Sequence, residues 1–472
     1  MNLISKYRVI SLLLIGFSFV ARAETTSFSL PDYQQLTLDN GLTVYLMEQH
    51  EVPTIDVNIV VNAGAVEDGK LAGLAQATAQ GLMFGTEKLE KQALEQFLEF
   101  RGAEVGADAS LEYSALSASF LARDSKDVLP VLADLLQRPV FNEEEFSKHQ
   151  KRHIDELMQR KESPQSVATD YFHQMIYADS PYSNIVNGTQ DSVKQLTIQS
   201  LWQFYHSFYR PENTAVIMVG AFDSKDMLQQ IKSLFGHWKG KALESEKLQK
   251  VSLNRPAKLT QSRVLLVNKS DSRQSTFYIG GHGIEYSNKE YIPLFVVNTI
   301  LGGRFTSWLN DELRVNAGLT YGARSSFNVH KVAGSFHIST FTDTKTTEEA
   351  IDLALKTYAR LWEKGIDAET LSSAKAYVKG QFPPKFETSE QLASLLQGMF
   401  IYGYDKDFIN QFQEKVDSLT LKKTKELINT YFPQDNLQFM VIGKGDEIRD
   451  VLKKYGKVTE VDINQVGFEV AF

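Results

Sequence analysis

His149, His153 and Glu156 stand at i, i+4 and i+7. On a helix that spacing puts two imidazoles and a carboxylate on one face, and in principle they could hold a divalent cation. Lys148, Gln150, Lys151, Arg152 and Asp155 surround them and give the segment a second reading as a solvated helix face, with no fourth ligand indicated. The other histidines, His50, His173, His206, His237, His282, His330 and His337, are scattered singly, as structural or exposed residues are. There is no cysteine, which removes thiol nucleophiles, Cys-ligated zinc, disulfides and an acylated lipoprotein cysteine together. Read by itself, Gly73-Leu74-Ala75-Gln76-Ala77-Thr78-Ala79-Gln80-Gly81 is a small-residue helix packed closely on a sheet. Arg314 by itself is a helix-end cation favoured by the macrodipole and pairing with a local carboxylate such as Asp311, with Tyr321 opening a strand. Gly302-Gly303 is weak as a phosphate loop and better suited to a turn or to close packing.

These groups belong to a chain of 472 residues, 43% hydrophobic and 11% aromatic, enough for two or three domains with real cores. That composition excludes a disordered, collagen-like or disulfide-framed chain. Lys plus Arg at 50 against Asp plus Glu at 58 gives a net charge of −8, and no basic block recurs, which argues against a nucleic-acid partner. At the N-terminus Lys6 and Arg8 precede the apolar run Val9–Val20, and Ala21-Arg22-Ala23 supplies a small-x-small step. Residues 1–23 therefore read as a cleaved signal peptide. The run is too short to span a bilayer, so no membrane span is expected after cleavage. The expected location is outside the cytoplasm, the periplasm if the cell is Gram-negative.

An internal repeat organises the rest. Val193, Leu196, Thr197, Phe204, Phe208, Asn213 and Gly220 stand at one constant offset from Val416, Leu419, Thr420, Leu427, Tyr431, Asn436 and Gly443. The strand Ala215–Val219 has Phe439–Ile442 as its matching strand. The mature chain thus reads as two copies of one fold. Each copy opens with strand-like runs, Leu42–Leu46 and Ile55–Val61 in the first, Val264–Val267 and Ser275–Ile279 in the second, before helical stretches such as Leu294–Leu301. The expected fold is α+β: two homologous domains, each an antiparallel sheet covered by helices on one face. The expected division is 24–238, a charged linker 239–258 with Gly240 and Pro256, and 259–472.

The run Gly73-Leu74-Ala75-Gln76-Ala77-Thr78-Ala79-Gln80-Gly81-Leu82-Met83-Phe84-Gly85-Thr86 resembles the pitrilysin and mitochondrial processing peptidase family of zinc metallopeptidases. In that family a helix framed by Gly-Leu-Ala and Phe-x-Gly-Thr carries His-x-x-Glu-His, two zinc ligands and the base that takes a proton from water. Here Gln76, Ala79 and Gln80 hold those places and Met83 replaces the frame's Phe, so the frame survives without its chemistry. Glu156 sits where the resemblance implies the third ligand, and one carboxylate does not hold zinc tightly. Leu301–Leu309 and Glu312–Gly322 are similar to the family's C-terminal domains, whose Arg and, seven residues on, Tyr contact substrate. Arg314 and Tyr321 reproduce that pair, and a guanidinium and a phenol can stabilise the oxyanion formed on a peptide carbonyl. The likeness continues through Ser373-Ala374-Lys375 and Gly380-Gln381-Phe382-Pro383 to Glu387-Thr388-Ser389.

Some members of that family work as pairs of related chains, one with the zinc motif and one with only the Arg and Tyr. The resemblance therefore implies a zinc-free subunit of an exported two-chain metallopeptidase, with no cofactor of its own, zinc in the partner, and a peptide as substrate. A non-catalytic scaffold or peptide-binding subunit of a larger complex is the alternative.

Overall fold

The computed structural model describes residues 29–178, 180–240 and 251–470. The expected signal peptide, 1–23, lies outside the described residues, as does 241–250 of the expected linker; 251–258 is described and forms no helix or strand. Among the described residues no helix is long and apolar enough to cross a membrane.

Two six-stranded sheets form the frame. The first contains β1 (Gln34–Thr37), β2 (Thr43–Glu48), β3 (Thr54–Val61), β4 (Glu104–Ala109), β5 (Ser114–Leu121) and β6 (Thr214–Gly220), in the order β1-β2-β6-β3-β5-β4. The second contains β7 (Arg263–Asn268), β8 (Gln274–His282), β9 (Arg324–Val329), β10 (Gly334–Asp343), β11 (Gln438–Gly443) and β12 (Lys457–Asp462), in the order β12-β7-β11-β8-β10-β9. The repeat is topological as well as sequential: β2, β6, β3, β5 and β4 have the same neighbours and directions as β7, β11, β8, β10 and β9. The copies differ at one edge, where β1 joins β2 antiparallel and β12 joins β7 parallel.

The α+β class stands, with two departures from a simple antiparallel sheet covered on one face. The contacts β2–β6, β7–β11 and β7–β12 are parallel, because β6 and β11 return after long helical excursions rather than through hairpins. Both faces of each sheet are covered. β6 and β11 are buried at every residue, so a single helical layer could not serve them. Alternation divides their side chains. Val216 and Met218 face the first half's own helices, whereas Ala215, Ile217 and Val219 join the other core cluster.

The second cover is exchanged between the halves. The helix Pro164–Tyr177 belongs to the first half yet packs on β8 and β11, its Val167, Tyr171, Phe172 and Met175 meeting Leu265, Val267, Met440 and Ile442. In return the helix Ser389–Tyr402 of the second half packs on β3 and β6, its Leu392, Ala393 and Leu396 meeting Val60, Ile217 and Val219. A polar lock adds to this. Glu112, 2% exposed, accepts from Tyr182 Oη at 2.7 Å and from the backbone N–H of Lys331, across the halves, at 2.8 Å.

Candidate functional site

The helix Leu74–Gly81 carries the glutamines. Its first turn is set by Asp68, whose two oxygens accept the backbone N–H of Gly73 and Ala75, each at 2.8 Å. Gly73 has φ 92°, and a Cβ there would stand 3.0 Å from the backbone of Gly188, so glycine is required at this start. Gln76 is buried, donating through Nε2 to Asp108 Oδ1 at 2.9 Å and accepting the Ala109 N–H through Oε1 at 2.6 Å. Gln80 Nε2 reaches the same Asp108 oxygen at 3.3 Å. Ala79 is fully buried. Each Gln76 amide atom is thus engaged, and the place of the general base holds a methyl group.

Glu156 lies on the helix Glu143–Arg160, with Arg152 and His153 each 3.5 Å from its carboxylate. His149 and His153 do share a face, their rings stacked at 5.8 Å and 9°. One nitrogen of each ring is already engaged: His153 Nε2 donates to the Asn187 carbonyl at 2.8 Å, and His149 Nδ1 accepts from Arg152 at 3.3 Å. Burial first, and then the neighbouring His153 and Arg152, push His149 down to about 4, leaving it neutral at neutral pH. Among the described residues no three His, Cys, Asp or Glu side chains are grouped to hold a metal ion. Zinc therefore does not fit the residues present, either at the glutamine helix or on the His149 face.

Arg314 and Tyr321 line one cleft of about 590 Å³ on the second half. Arg314 sits in a widened helical segment, Asp311–Asn316 in π geometry, with its guanidinium over the Phe305 ring at 4.5 Å. Such segments turn side chains out of the regular helical rows and recur at functional sites. Among the described residues Arg314 makes no ion pair with Asp311, the local partner of the purely structural alternative. Tyr321 does not open a strand core; it lies ahead of β9 and is 83% exposed. Gly302 serves close packing, since a Cβ there would lie 2.2 Å from the Ser325 backbone nitrogen. The structure thus groups Arg314 with Tyr321, and Gln76 with Gln80 through Asp108, while none of Gln76, Ala79, Gln80 or Glu156 lines the arginine cleft.

Sequence reading passed over Asp108, Asp68 and Glu112. Each is an ordinary surface-type carboxylate until the chain folds, and no local spacing marks it. The Asp68–Gly73 separation ahead of the helix is the one signal that could have pointed to a cap.

Residues 43–190 match the profile of the insulinase family, peptidase family M16, and residues 195–378 match that of the M16 inactive domain. A Bacillus subtilis protein named an uncharacterized zinc protease is 22% identical over 417 residues, covering 88% of this chain and 99% of its own. A Helicobacter pylori protein named a non-peptidase homolog is 24% identical over 400 residues, covering 84% of this chain and 90% of its own. In three dimensions the chain is similar to a Pseudomonas fluorescens M16 inactive-domain structure, with TM-score 0.80, 23% identity, and coverage of 87% of this chain and 98% of that one. A Helicobacter pylori protease structure is similar at TM-score 0.77 and 19% identity, with 88% and 100% covered. The family profiles carry the assignment, the solved structures carry the fold, and the chain belongs to the M16 peptidase family as a member with Gln76, Ala79 and Gln80 in place of the zinc motif.

Proposed function

We propose that the chain is the zinc-free subunit of an exported two-chain metallopeptidase, lending Arg314 and Tyr321 to an active site whose zinc belongs to a related partner carrying His-x-x-Glu-His. The observation that carries this reading is the contrast between the two sites. The residues in the zinc-motif places are tied into hydrogen bonds or buried. Arg314 and Tyr321, by contrast, stand at an open cleft, and among the described residues neither has a carboxylate partner. A half-site with nothing to catalyse alone gains a role when a second chain closes on it. The guanidinium would hold a peptide carbonyl and the phenol would donate to the oxygen on which negative charge develops. Export would follow from residues 1–23, and the name of the Helicobacter pylori relative is consistent with the non-catalytic part.

The test is reconstitution with a co-exported His-x-x-Glu-His relative. A stable complex should form at micromolar concentration, and zinc analysis should place the metal in the partner alone. Tyr321→Phe should lower the complex's turnover by roughly 10²-fold, the scale of a lost oxyanion donor, while assembly persists. Arg314→Ala should lower kcat, KM or both; a rise in KM with kcat unchanged assigns it to uniform binding. If both variants keep activity within about twofold of wild type, far below an oxyanion effect, the shared-site reading fails and a scaffold remains.

A further inference from the structure

The cleft that holds Arg314 and Tyr321 has a charge pattern out of keeping with an acidic chain. Arg304, Arg314 and Arg324 all line it, and no Asp or Glu does, although the chain as a whole carries a net charge of −8. Among the described residues none of the three makes an ion pair. Arg304 gives one donor to Ser373 Oγ at 3.0 Å, while its Nε is buried with no partner. Aromatic rings hold two of the guanidiniums, Arg314 over Phe305 at 4.5 Å and Arg304 near Tyr377 at 5.9 Å. Stacking of that kind fixes the guanidinium plane and leaves its edge donors free for a carboxylate.

The apolar content of the same cleft is exposed. Phe305 is 67% and Tyr377 41% accessible, beside Tyr321 at 83%, and large apolar groups gathered on one exposed surface mark a contact site. The cleft runs along β9, residues 324–328 all lining it, and β9 is the edge strand of its sheet. About 590 Å³ is far more than a single small anion fills and suits several residues of an extended chain. The first half offers the reverse polarity. Its cleft beside β4 is lined by Asp56, Glu104 and Asp108, joined by Glu390 of the second half's exchanged helix, and by no Lys or Arg, so an acidic segment is repelled there and drawn to the arginine cleft.

From this geometry we infer that the arginine cleft binds an extended peptide segment rich in Asp and Glu side chains interleaved with apolar ones. The inference names the peptide class for the site proposed above and rests on that reading for the use made of the bound peptide. Binding itself needs no partner chain. It is measured on the isolated mature chain by fluorescence anisotropy with labelled peptides of about ten residues, the length an edge strand can accommodate. One alternates Glu with Leu, one Gln with Leu, and one is the acidic peptide with an amidated C-terminus.

The acidic peptide should bind roughly tenfold tighter than the Gln peptide, the scale of two or three partly exposed charge pairs, and the preference should shrink as salt rises. Arg324→Gln, on an exposed position of β9, should weaken the preference, and Arg314→Gln with Arg324→Gln should abolish it at an unchanged urea midpoint. Amidation should make no difference. A preference under about twofold, less than one exposed ion pair supplies, overturns the inference, as does a preference that survives the double variant. Loss of binding on amidation overturns it in favour of a terminal carboxylate. A chain that binds acidic peptide this way yet leaves the reconstituted peptidase indifferent to Tyr321→Phe would refute the shared-site reading and leave this one standing.

Discussion

At the scale of single residues, the glutamine that replaces a ligand has become structural. Gln76 bridges the Asp108 carboxylate and the Ala109 N–H, so Gln76→Ala leaves a backbone donor unpaired in a nearly closed site. The expected cost is about 1–3 kcal/mol, read as a lower urea midpoint. Gln80→Ala, which removes a longer bond of 3.3 Å at the surface, should cost well under half of that. Tyr321→Phe should leave the midpoint where it was, since the hydroxyl has no partner among the described residues and the ring is 83% exposed. Zinc analysis of the isolated chain after metal stripping and reloading should find no tightly held stoichiometric ion. One ion per chain would point to His149 and His153 and would require the Arg152 contact to break.

Among the elements, the segment Thr299–Gly303 and strand β9 are the pair on which the cleft depends. Gly302 lets them touch: a Cβ there would meet the Ser325 nitrogen at 2.2 Å and its Oγ at 2.6 Å. The contact is tightened by Asn298, which donates to the Ser325 carbonyl at 2.9 Å and accepts its hydroxyl at 2.7 Å. Gly302→Ala should therefore force the two elements apart and destabilise the chain by about 1–3 kcal/mol, the usual cost of overpacking. Because the cleft lies between these elements, its peptide affinity should fall in the same variant. Gly303→Ala, whose nearest neighbour would be 3.3 Å away, should do much less in both the urea and the anisotropy measurement.

For the whole molecule, the exchanged helices tie the stability of each half to the other. Without Ser389–Tyr402 the first sheet would expose Val60, Ile217 and Val219, and without Pro164–Tyr177 the second would expose Leu265 and Met440. Calorimetry should show one transition with matching calorimetric and van't Hoff enthalpies; two separated transitions would show that the exchanged contacts contribute little. Acid should weaken this interface. His337, stacked on Tyr278 at 4.5 Å and beside Phe172, is pushed down to about 4 by burial. The unfolded chain protonates this imidazole near its ordinary value of 6.5 while the folded chain refuses the proton. Its contribution is present in full above about 6.5 and is lost as pH falls towards 4. Partly buried Asp56 and Asp170, raised by desolvation, run the other way, so the test is differential. Between pH 7 and 5, His337→Phe should lose about 1–2 kcal/mol less stability than wild type.

The sequence alone determined the features that depend on residue type or local period. The two-copy repeat was legible because matching apolar positions recur at one offset, and the strands because alternation is written into runs such as Ile55–Val61. The loss of zinc chemistry was legible because a Gln amide and an alanine methyl lack the needed donors wherever they lie. Arg314 and Tyr321 were legible only as a pair seven residues apart within a family-like frame; that they line one cleft is a finding of the folded chain. Tertiary structure alone decided what depends on residues far apart in the chain. Asp108 receives Gln76 and Gln80 from 32 and 28 residues away, and Glu112 meets the Lys331 backbone from 219 residues away. Which face of each sheet is covered by the other half, and the gathering of Arg304 and Arg324 around Arg314 without a carboxylate, follow from the same cause. Local pattern records how a segment hides its own apolar face, whereas the partner that covers it is chosen only when the whole chain closes.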